Sequence, residues 1–206
     1  MGEAAVWDDN EIPMELINGK IVMMSPRPGL DHTRVSGAIY RIFSNALEGK
    51  RCEAFPDGVD LYLDEKNHFV PDGMIVCDPS QSKYDRVVGA PSLVVEVLSP
   101  STASRDRGDK FDAYGKAGVQ EYWIVDILGR SIDVYRQKDG RLVMNHVYQY
   151  FSPEELAENA GREEHFRLHP EDTEQVITVD LCGGFKVPLA KIFARVLYGS
   201  FLYTHL

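Results

Sequence analysis

Two apolar segments of strand length each contain a single carboxylate, and this pattern constrains the fold more than any other feature of the chain. Residues 93–98 read LVVEVL, with Glu96 among five aliphatic side chains, and residues 69–78 read FVPDGMIVCD, with Asp72 directly after Pro71. An ionised carboxylate in an apolar interior is costly unless a cation neutralises it. Each acid therefore predicts a bound cation, a buried ion pair or a strand end that is open to water.

The spacing within each segment also predicts where the two carboxylates point. Side chains alternate between the two faces of a strand, so Asp72 shares a face with Met74, and Glu96 shares a face with Val94. If the two strands are neighbours in register, the carboxylates converge. Converging hard oxygen donors without nearby Cys or paired His suit Mg²⁺ or Mn²⁺, and such a site acts on phosphate esters.

A third candidate residue, Lys110, lies in the segment after the second acidic strand. Residues 103–116 have helical spacing, and Arg107 and Tyr114 fall on the same side as Lys110. An ammonium group at this position could orient the water that attacks a phosphate. The alternative is a solvated lysine that pairs with Asp106 or with the ring of Tyr114.

The order of the predicted elements indicates an α/β (α+β) fold with helices against one mixed sheet. The N-terminal hairpin turns at Asn18-Gly19, and Asp31 is the predicted N-cap of the first helix. The predicted elements are a hairpin at 14–26, helices at 31–49 and 103–116, strands at 58–63, 69–77, 92–98, 121–125, 131–136 and 142–148, an acidic excursion at 154–174, a closing hairpin at 176–179 and 185–188, and a short helix at 189–197.

Composition excludes several classes of protein. The net charge of -10 argues against a protein that coats nucleic acid non-specifically. No apolar run approaches the length of a membrane span, and an acidic start instead of a signal sequence leads us to expect a cytoplasmic protein without membrane contact. Cys52, Cys77 and Cys182 form no CxxC pair, so we expect reduced packing cysteines rather than a disulfide framework or a thiolate zinc site.

Several of these segments resemble a known family. The strings VPDGMIVCD and PSLVVEVLSPSTASRDRGDKFDAYGKAGVQEYWIVD are similar to the Uma2 family of restriction-endonuclease-like proteins, in the PD-(D/E)XK nuclease superfamily. The resemblance extends from about Met14 through the closing GFKVPLAKIF. It implies one restriction-endonuclease-like domain over residues 1–206, with a mixed β-sheet core flanked by helices, an N-terminal hairpin, and C-terminal strand and helix additions.

The resemblance also implies roles for individual residues. Asp72 would be the motif aspartate and Glu96 the acid of the third core strand, both of them ligands of Mg²⁺ or Mn²⁺, with the carbonyl of Val97 as a further ligand. Lys110 would be the catalytic lysine. In the simplest superfamily pattern the lysine stands two residues after the acid, where this chain has Leu98.

Glu15 and His32 match positions where the family often has these residue types, so either could line the site. The alternatives are an exposed strand acid for Glu15 and a helix-start cap for His32. Bases on or after the first helix are candidates for phosphate contacts, although helices ordinarily carry such charges on the solvent side. These bases are Arg34, Arg41, Lys50 and Arg51.

The leading hypothesis is a metal-dependent endonuclease that hydrolyses DNA phosphodiester bonds. The alternative keeps the fold but makes it a catalytically silent interaction or structural module, in which the acids and the lysine form a buried ion-paired cluster. Paired carboxylates acting in glycoside hydrolysis are disfavoured, because neither acid has an aromatic platform nearby. A homodimer is a further hypothesis, from the apolar residues of the C-terminal IFARVLYGSFLYTHL.

Overall fold

The computed structural model describes residues 14–24 and 28–196, and their fold is of the α+β class that the sequence predicts. The helices are α1 (Leu30–Leu47), α2 (Ala103–Asp106), α3 (Asp109–Ala117), α4 (Pro153–Gly161) and α5 (Leu189–Phe193). The strands are β1 (Met14–Ile17), β2 (Lys20–Met23), β3 (Glu53–Pro56), β4 (Asp60–Asp64), β5 (Asn67–Phe69), β6 (Gly73–Val76), β7 (Arg86–Val88), β8 (Leu93–Val97), β9 (Glu121–Asp126), β10 (Ser131–Lys138), β11 (Arg141–Gln149), β12 (Val176–Val179) and β13 (Phe185–Pro188).

The strands form two large sheets and a hairpin, whereas the sequence predicts one mixed sheet. A six-stranded sheet has the order β11-β10-β9-β8-β6-β3, and a five-stranded sheet has the order β2-β1-β5-β4-β7. The segment predicted as one strand at 69–77 is divided between them, because Pro71 and Asp72 separate β5 from β6. Proline lacks the N–H that a continuous ladder requires, which accounts for the change of sheet at this point.

Two apolar clusters lie on opposite sides of the six-stranded sheet. Helix α1 contributes Val35, Ile39 and Phe43 to one cluster, in which the Phe43 ring lies edge-on to Trp123 at 5.4 Å. The other cluster joins the two large sheets to α3 and contains Phe69 and Tyr114. Helix α3 is therefore held over the face of β8 that carries Glu96, since Val94 belongs to this second cluster.

The predicted helix at 103–116 is broken into α2 and α3 at Gly108. A Cβ at this glycine would lie 2.9 Å from the carbonyl oxygen of Ser104, so the close approach of the backbone requires glycine. The break rotates Arg107 away from Lys110. Arg107 Nη1 donates to Asp133 Oδ2 at 2.7 Å on β10, and the prediction that Arg107 shares the side of Lys110 is wrong.

Other predictions can be compared with the described residues. The closing hairpin at 176–179 and 185–188 and the N-terminal hairpin are confirmed. The N-cap prediction is wrong, because Gly29 precedes α1 while Asp31 lies in its first turn and accepts a hydrogen bond from Arg34. No helix among the described residues is long and apolar enough to cross a membrane. Most of the C-terminal segment behind the homodimer hypothesis lies outside the described residues.

The three cysteines, which the sequence predicts to be reduced packing residues, lie together at one place in the fold. The sulfur atoms of Cys52, Cys77 and Cys182 converge, although 130 residues separate the first from the last. Their convergence depends on β3 and on the closing hairpin, which bring distant parts of the chain to one end of β6.

Candidate active site

The register between β6 and β8 brings the two predicted acids to the same end of the six-stranded sheet. The strands are antiparallel and pair Gly73 with Val95 and Met74 with Val94. Continued by one residue, this register sets Asp72 opposite Glu96. Directly opposed residues of antiparallel strands lie on the same face of the sheet. The convergence expected from the alternation is therefore what the register produces.

The carboxylate of Asp72 has two partners. Oδ2 accepts a hydrogen bond of 2.6 Å from the backbone N–H of Val97, and Oδ1 lies 3.2 Å from Nε2 of His32. The Asp72 side chain is 13% exposed, so it is reachable from the adjoining cavity. The bond to Val97, the residue that follows Glu96, fixes Asp72 against the end of β8.

Glu96 is buried within β8. Its Oε1 accepts hydrogen bonds from Tyr114 Oη at 2.8 Å and from Lys110 Nζ at 3.0 Å. Burial raises the pKa of Glu96 well above its ordinary value; Lys110 opposes this shift, and the nearby charges of Asp106 and Asp72 add to it. Both hydrogen bonds go to one oxygen, so Oε2 has no hydrogen-bond partner among the described residues.

Lys110 is held by three carboxylates. Besides Glu96, its Nζ lies 2.8 Å from Glu15 Oε1 and 3.6 Å from Asp106 Oδ1, and the side chain is 5% exposed. Burial alone would lower the pKa of Lys110, but the charges of Glu96, Glu15 and Asp106 outweigh burial and raise it. The ammonium form is therefore stabilised. Lys110 does pair with Asp106, as the alternative holds, but it is a buried cation and not a solvated one.

Glu15 enters the site from the other large sheet. It lies on β1, is 4% exposed, and accepts a hydrogen bond of 3.1 Å from the backbone N–H of Val70 through the same Oε1 that contacts Lys110. The interpretation of Glu15 as an exposed strand acid is therefore wrong. Its burial could not be read from the hairpin pattern, because α3 and the six-stranded sheet, which cover it, are formed by distant residues.

His32 lies in the first turn of α1, and no cap bond from its side chain is present at that helix start. Burial alone would lower the pKa of His32, but the hydrogen bond and charge of Asp72, with a further contribution from Asp57, raise it.

Asp57 is a site residue that the sequence reasoning missed. Burial and the charge of Asp72 raise the pKa of Asp57. Its Asp-Gly sequence between β3 and β4 is typical of a turn, which conceals it.

One open cavity connects these groups. Its volume is about 1100 Å³, and Glu15, His32, Asp72, Glu96 and Lys110 all line it. Of the four bases proposed for phosphate contacts only Arg34 lines this cavity, where Arg105 joins it. Lys50 and Arg51 line a separate cleft. The five predicted side chains of the site are thus brought together, and most of the predicted phosphate contacts are not.

The donor atoms fit a hard divalent cation. Asp72 and Glu96 stand opposite one another in the extended β6–β8 register, and Oε2 of Glu96 lacks a hydrogen-bond partner among the described residues. The Val97 carbonyl lies near the His32 ring on the same side. An all-oxygen set of this kind suits Mg²⁺ or Mn²⁺. Lys110 remains beside Glu96 to balance the excess of negative charge.

The fold has a counterpart among solved structures. It is similar to a crystal structure described as a putative nuclease of DUF820 from Anabaena variabilis ATCC 29413, with a TM-score of 0.61 at 17% identity, over 92% of this chain and 94% of that one. The match supports the fold class.

The sequence itself gives the family. The model of the Uma2 family, described as "Putative restriction endonuclease", matches residues 3–162, and the chain belongs to this family. Two uncharacterized proteins of Synechocystis sp. are similar to it. One is 33% identical over 145 residues, covering 68% of this chain and 76% of that protein. The other is 27% identical over 150 residues, covering 71% and 80%.

Proposed function

We propose that this protein is a metal-dependent endonuclease that hydrolyses phosphodiester bonds of DNA. The observation that carries the proposal is the shared cavity of Asp72, Glu96 and Lys110, in which Lys110 Nζ lies 3.0 Å from Glu96. Membership of a family described as restriction endonucleases supports a nuclease. The similarity of fold to a nuclease-like structure is consistent with it.

In this proposal Asp72, Glu96 and the Val97 carbonyl hold Mg²⁺ or Mn²⁺. When bound, such an ion polarises the scissile phosphate and lowers the pKa of a coordinated water. The chain keeps the ligands oriented: the Val97 N–H fixes one oxygen of Asp72, and Tyr114 with Lys110 fixes Oε1 of Glu96. Holding ligands in place before binding reduces the entropy lost on binding.

Lys110 is proposed to position the attacking water. Its raised pKa keeps it an ammonium group throughout the neutral range, so it donates hydrogen bonds and does not serve as a general base. Its three carboxylate partners restrict its motion, and its place on the cavity wall gives it access to a water or a phosphate oxygen. Arg34 and Arg105, which also line the cavity, are the proposed contacts for flanking phosphates.

The test is cleavage of supercoiled plasmid and linear duplex DNA in Mg²⁺ or Mn²⁺, with chelator as the blank. The informative variant is Glu96→Gln, which keeps the shape of the side chain. Its matched control is Glu121→Gln, a buried carboxylate on β9 that bonds Trp123 and Arg136 outside the cavity. We expect metal-dependent cutting that falls by more than about tenfold in the first variant and stays near the wild-type rate in the second.

Absence of cutting above the Glu96→Gln background, for every substrate and both metals, would refute the proposal.

The second candidate, a silent interaction module, is favoured by a specific observation. Lys110 contacts the buried carboxylates of Glu15, Glu96 and Asp106, and a purely structural ion cluster would have the same contacts. Calorimetric titration with Mn²⁺ separates the two, since a metal site binds the ion and loses it in Asp72→Asn, whereas a structural cluster shows no binding.

A further inference from the structure

Three cysteine sulfurs converge at the end of β6 opposite to Asp72. Cys52 precedes β3, Cys77 follows β6, and Cys182 lies in the turn between β12 and β13. The β3–β6 register pairs Glu53 with Val76, so the next pair outward is Cys52 with Cys77. The Cα atom of Cys52 is 4.0 Å from that of Cys77 and 6.3 Å from that of Cys182.

Cys52 is common to two contacts that exclude each other. Its Sγ lies within bonding reach of the Sγ atoms of both Cys77 and Cys182, while those two lie 3.7 Å from one another. A cysteine sulfur forms one disulfide at a time. The cluster can therefore hold one disulfide and one thiol, and the thiol always lies beside the disulfide.

Reagents can reach the cluster from solvent. Cys52 is only 4% exposed, but it lines a polar cleft of about 480 Å³ with Lys50, Arg51 and Glu53. Cys77 and Cys182 are half-buried. The cleft shares no lining residue with the cavity of the active site. Helix α1 has 18 residues and is roughly 27 Å long; His32 lies in its first turn, whereas Cys52 follows its other end.

We propose that Cys52, Cys77 and Cys182 form a thiol–disulfide redox site in which Cys52 is the exchanging sulfur. A hydroperoxide is the oxidant. The Cys52 thiolate attacks the terminal peroxide oxygen, the O–O bond breaks, and Cys52 becomes a sulfenic acid as water or an alcohol leaves. The Cys77 or Cys182 thiolate then attacks the Cys52 sulfur, the S–O bond breaks, and the oxygen departs as water.

Exchange within the cluster needs no further oxidant. With a Cys52–Cys77 disulfide present, the Cys182 thiolate attacks the Cys52 sulfur, forms the new S–S bond, and Cys77 leaves as a thiolate that takes up the proton given up by Cys182. The disulfide then links α1 and β3 to the closing hairpin instead of to β6. A dithiol reductant reverses the oxidation by the same exchange chemistry.

The same three thiolates would also be the soft ligands of a zinc site, and the donor count disfavours this. Structural zinc is held by four protein ligands. Within the part of the chain that the structure describes, no fourth Cys, His, Asp or Glu joins the three cysteines. A disulfide with an adjacent thiol uses all three sulfurs and needs no additional donor.

The test follows thiols by mass. Reduced, folded protein is treated with hydrogen peroxide, quenched with N-ethylmaleimide, and measured intact and as non-reduced peptides. We expect one maleimide adduct per chain instead of three, and two cross-linked peptides that both contain Cys52. The disulfide should form at least tenfold faster in folded protein than in denaturant-unfolded protein. The variant Cys182→Ser should give only Cys52–Cys77, and Cys77→Ser only Cys52–Cys182.

The variant Cys52→Ser is expected to retain both of its thiols at least tenfold longer than wild type. Three adducts after oxidation, a main cross-link between Cys77 and Cys182, or one zinc per chain that protects the thiols until chelator is added would each overturn the proposal. Circular dichroism checks the fold of every variant. If Cys52→Ser does not fold, the wild-type peptide map alone decides, and no outcome depends on cleavage of DNA.

Discussion

Replacing Lys110 with methionine is expected to be among the most destabilising single substitutions in the chain. Lys110 Nζ lies within 3.6 Å of carboxylates from Glu15, Glu96 and Asp106, and each of these acids is 4% exposed or less. Lys110→Met leaves them without their common cation. Breaking a buried ion pair from one side costs about 3–5 kcal/mol. For a chain of this size that corresponds to a fall in Tm of roughly 6–20 °C.

The measurement is urea unfolding followed by circular dichroism at pH 8 and pH 5, with Lys116→Met as the control. Lys116 lies on the same helix but is exposed. Because the pKa of Glu96 is raised, the folded state binds its proton more readily than the unfolded state, so folding becomes more favourable as pH falls. Lys110 opposes this shift, so its removal raises the pKa of Glu96 further, and the deficit of Lys110→Met should shrink at pH 5. A variant as stable as the Lys116→Met control at pH 8 would refute this reasoning.

Three further predictions concern the surroundings of the site. The pKa of His32 is raised in the folded protein, so its contact with Asp72 stabilises the fold below the ordinary histidine pKa, and this stabilisation is lost as pH rises through the pKa of the folded state. His32→Asn should therefore lower the melting temperature at pH 5.5 and not at pH 9. Gly108→Ala puts a Cβ 2.9 Å from a backbone carbonyl and should cost about 1–3 kcal/mol in chemical unfolding. Arg107→Ala removes a contact to Asp133 outside the cavity and should leave DNA cleavage within about twofold of wild type; a larger loss would place Arg107 in the site.

The acids of the site are visible in the sequence because their signal is local. A charge within an aliphatic run is costly wherever the strand lies, so Glu96 and Asp72 stand out before any contact is known. Asp106 had a weaker local signal, since it stands four residues before Lys110 on a predicted helix. That spacing led to the alternative of an exposed pair. The other two carboxylates around Lys110, which make the group buried, come from different strands.

The features that the sequence could not predict depend on long-range packing. A polar residue in an alternating strand ordinarily faces solvent, so the hairpin pattern gives no sign that α3 and the six-stranded sheet cover Glu15. The break at Gly108 depends on the approach of a carbonyl, whereas an isolated glycine in a helical pattern is ordinarily tolerated. The cysteines converge through β3, a strand of four residues that the sequence reasoning missed. A single domain over residues 1–206 and a cytoplasmic location stay predictions.

The ion cluster of Lys110 also couples the opening of the two large sheets. Glu15 belongs to the five-stranded sheet and Glu96 to the six-stranded sheet, and one ammonium group contacts both. Detaching the N-terminal hairpin would leave that ammonium without one of its counter-charges in a buried place. Native-state hydrogen exchange should therefore report β1 and β8 as one cooperative unit with similar opening free energies. This is expected although β1 lies near the start of the described chain and pairs with β5 at a single register position.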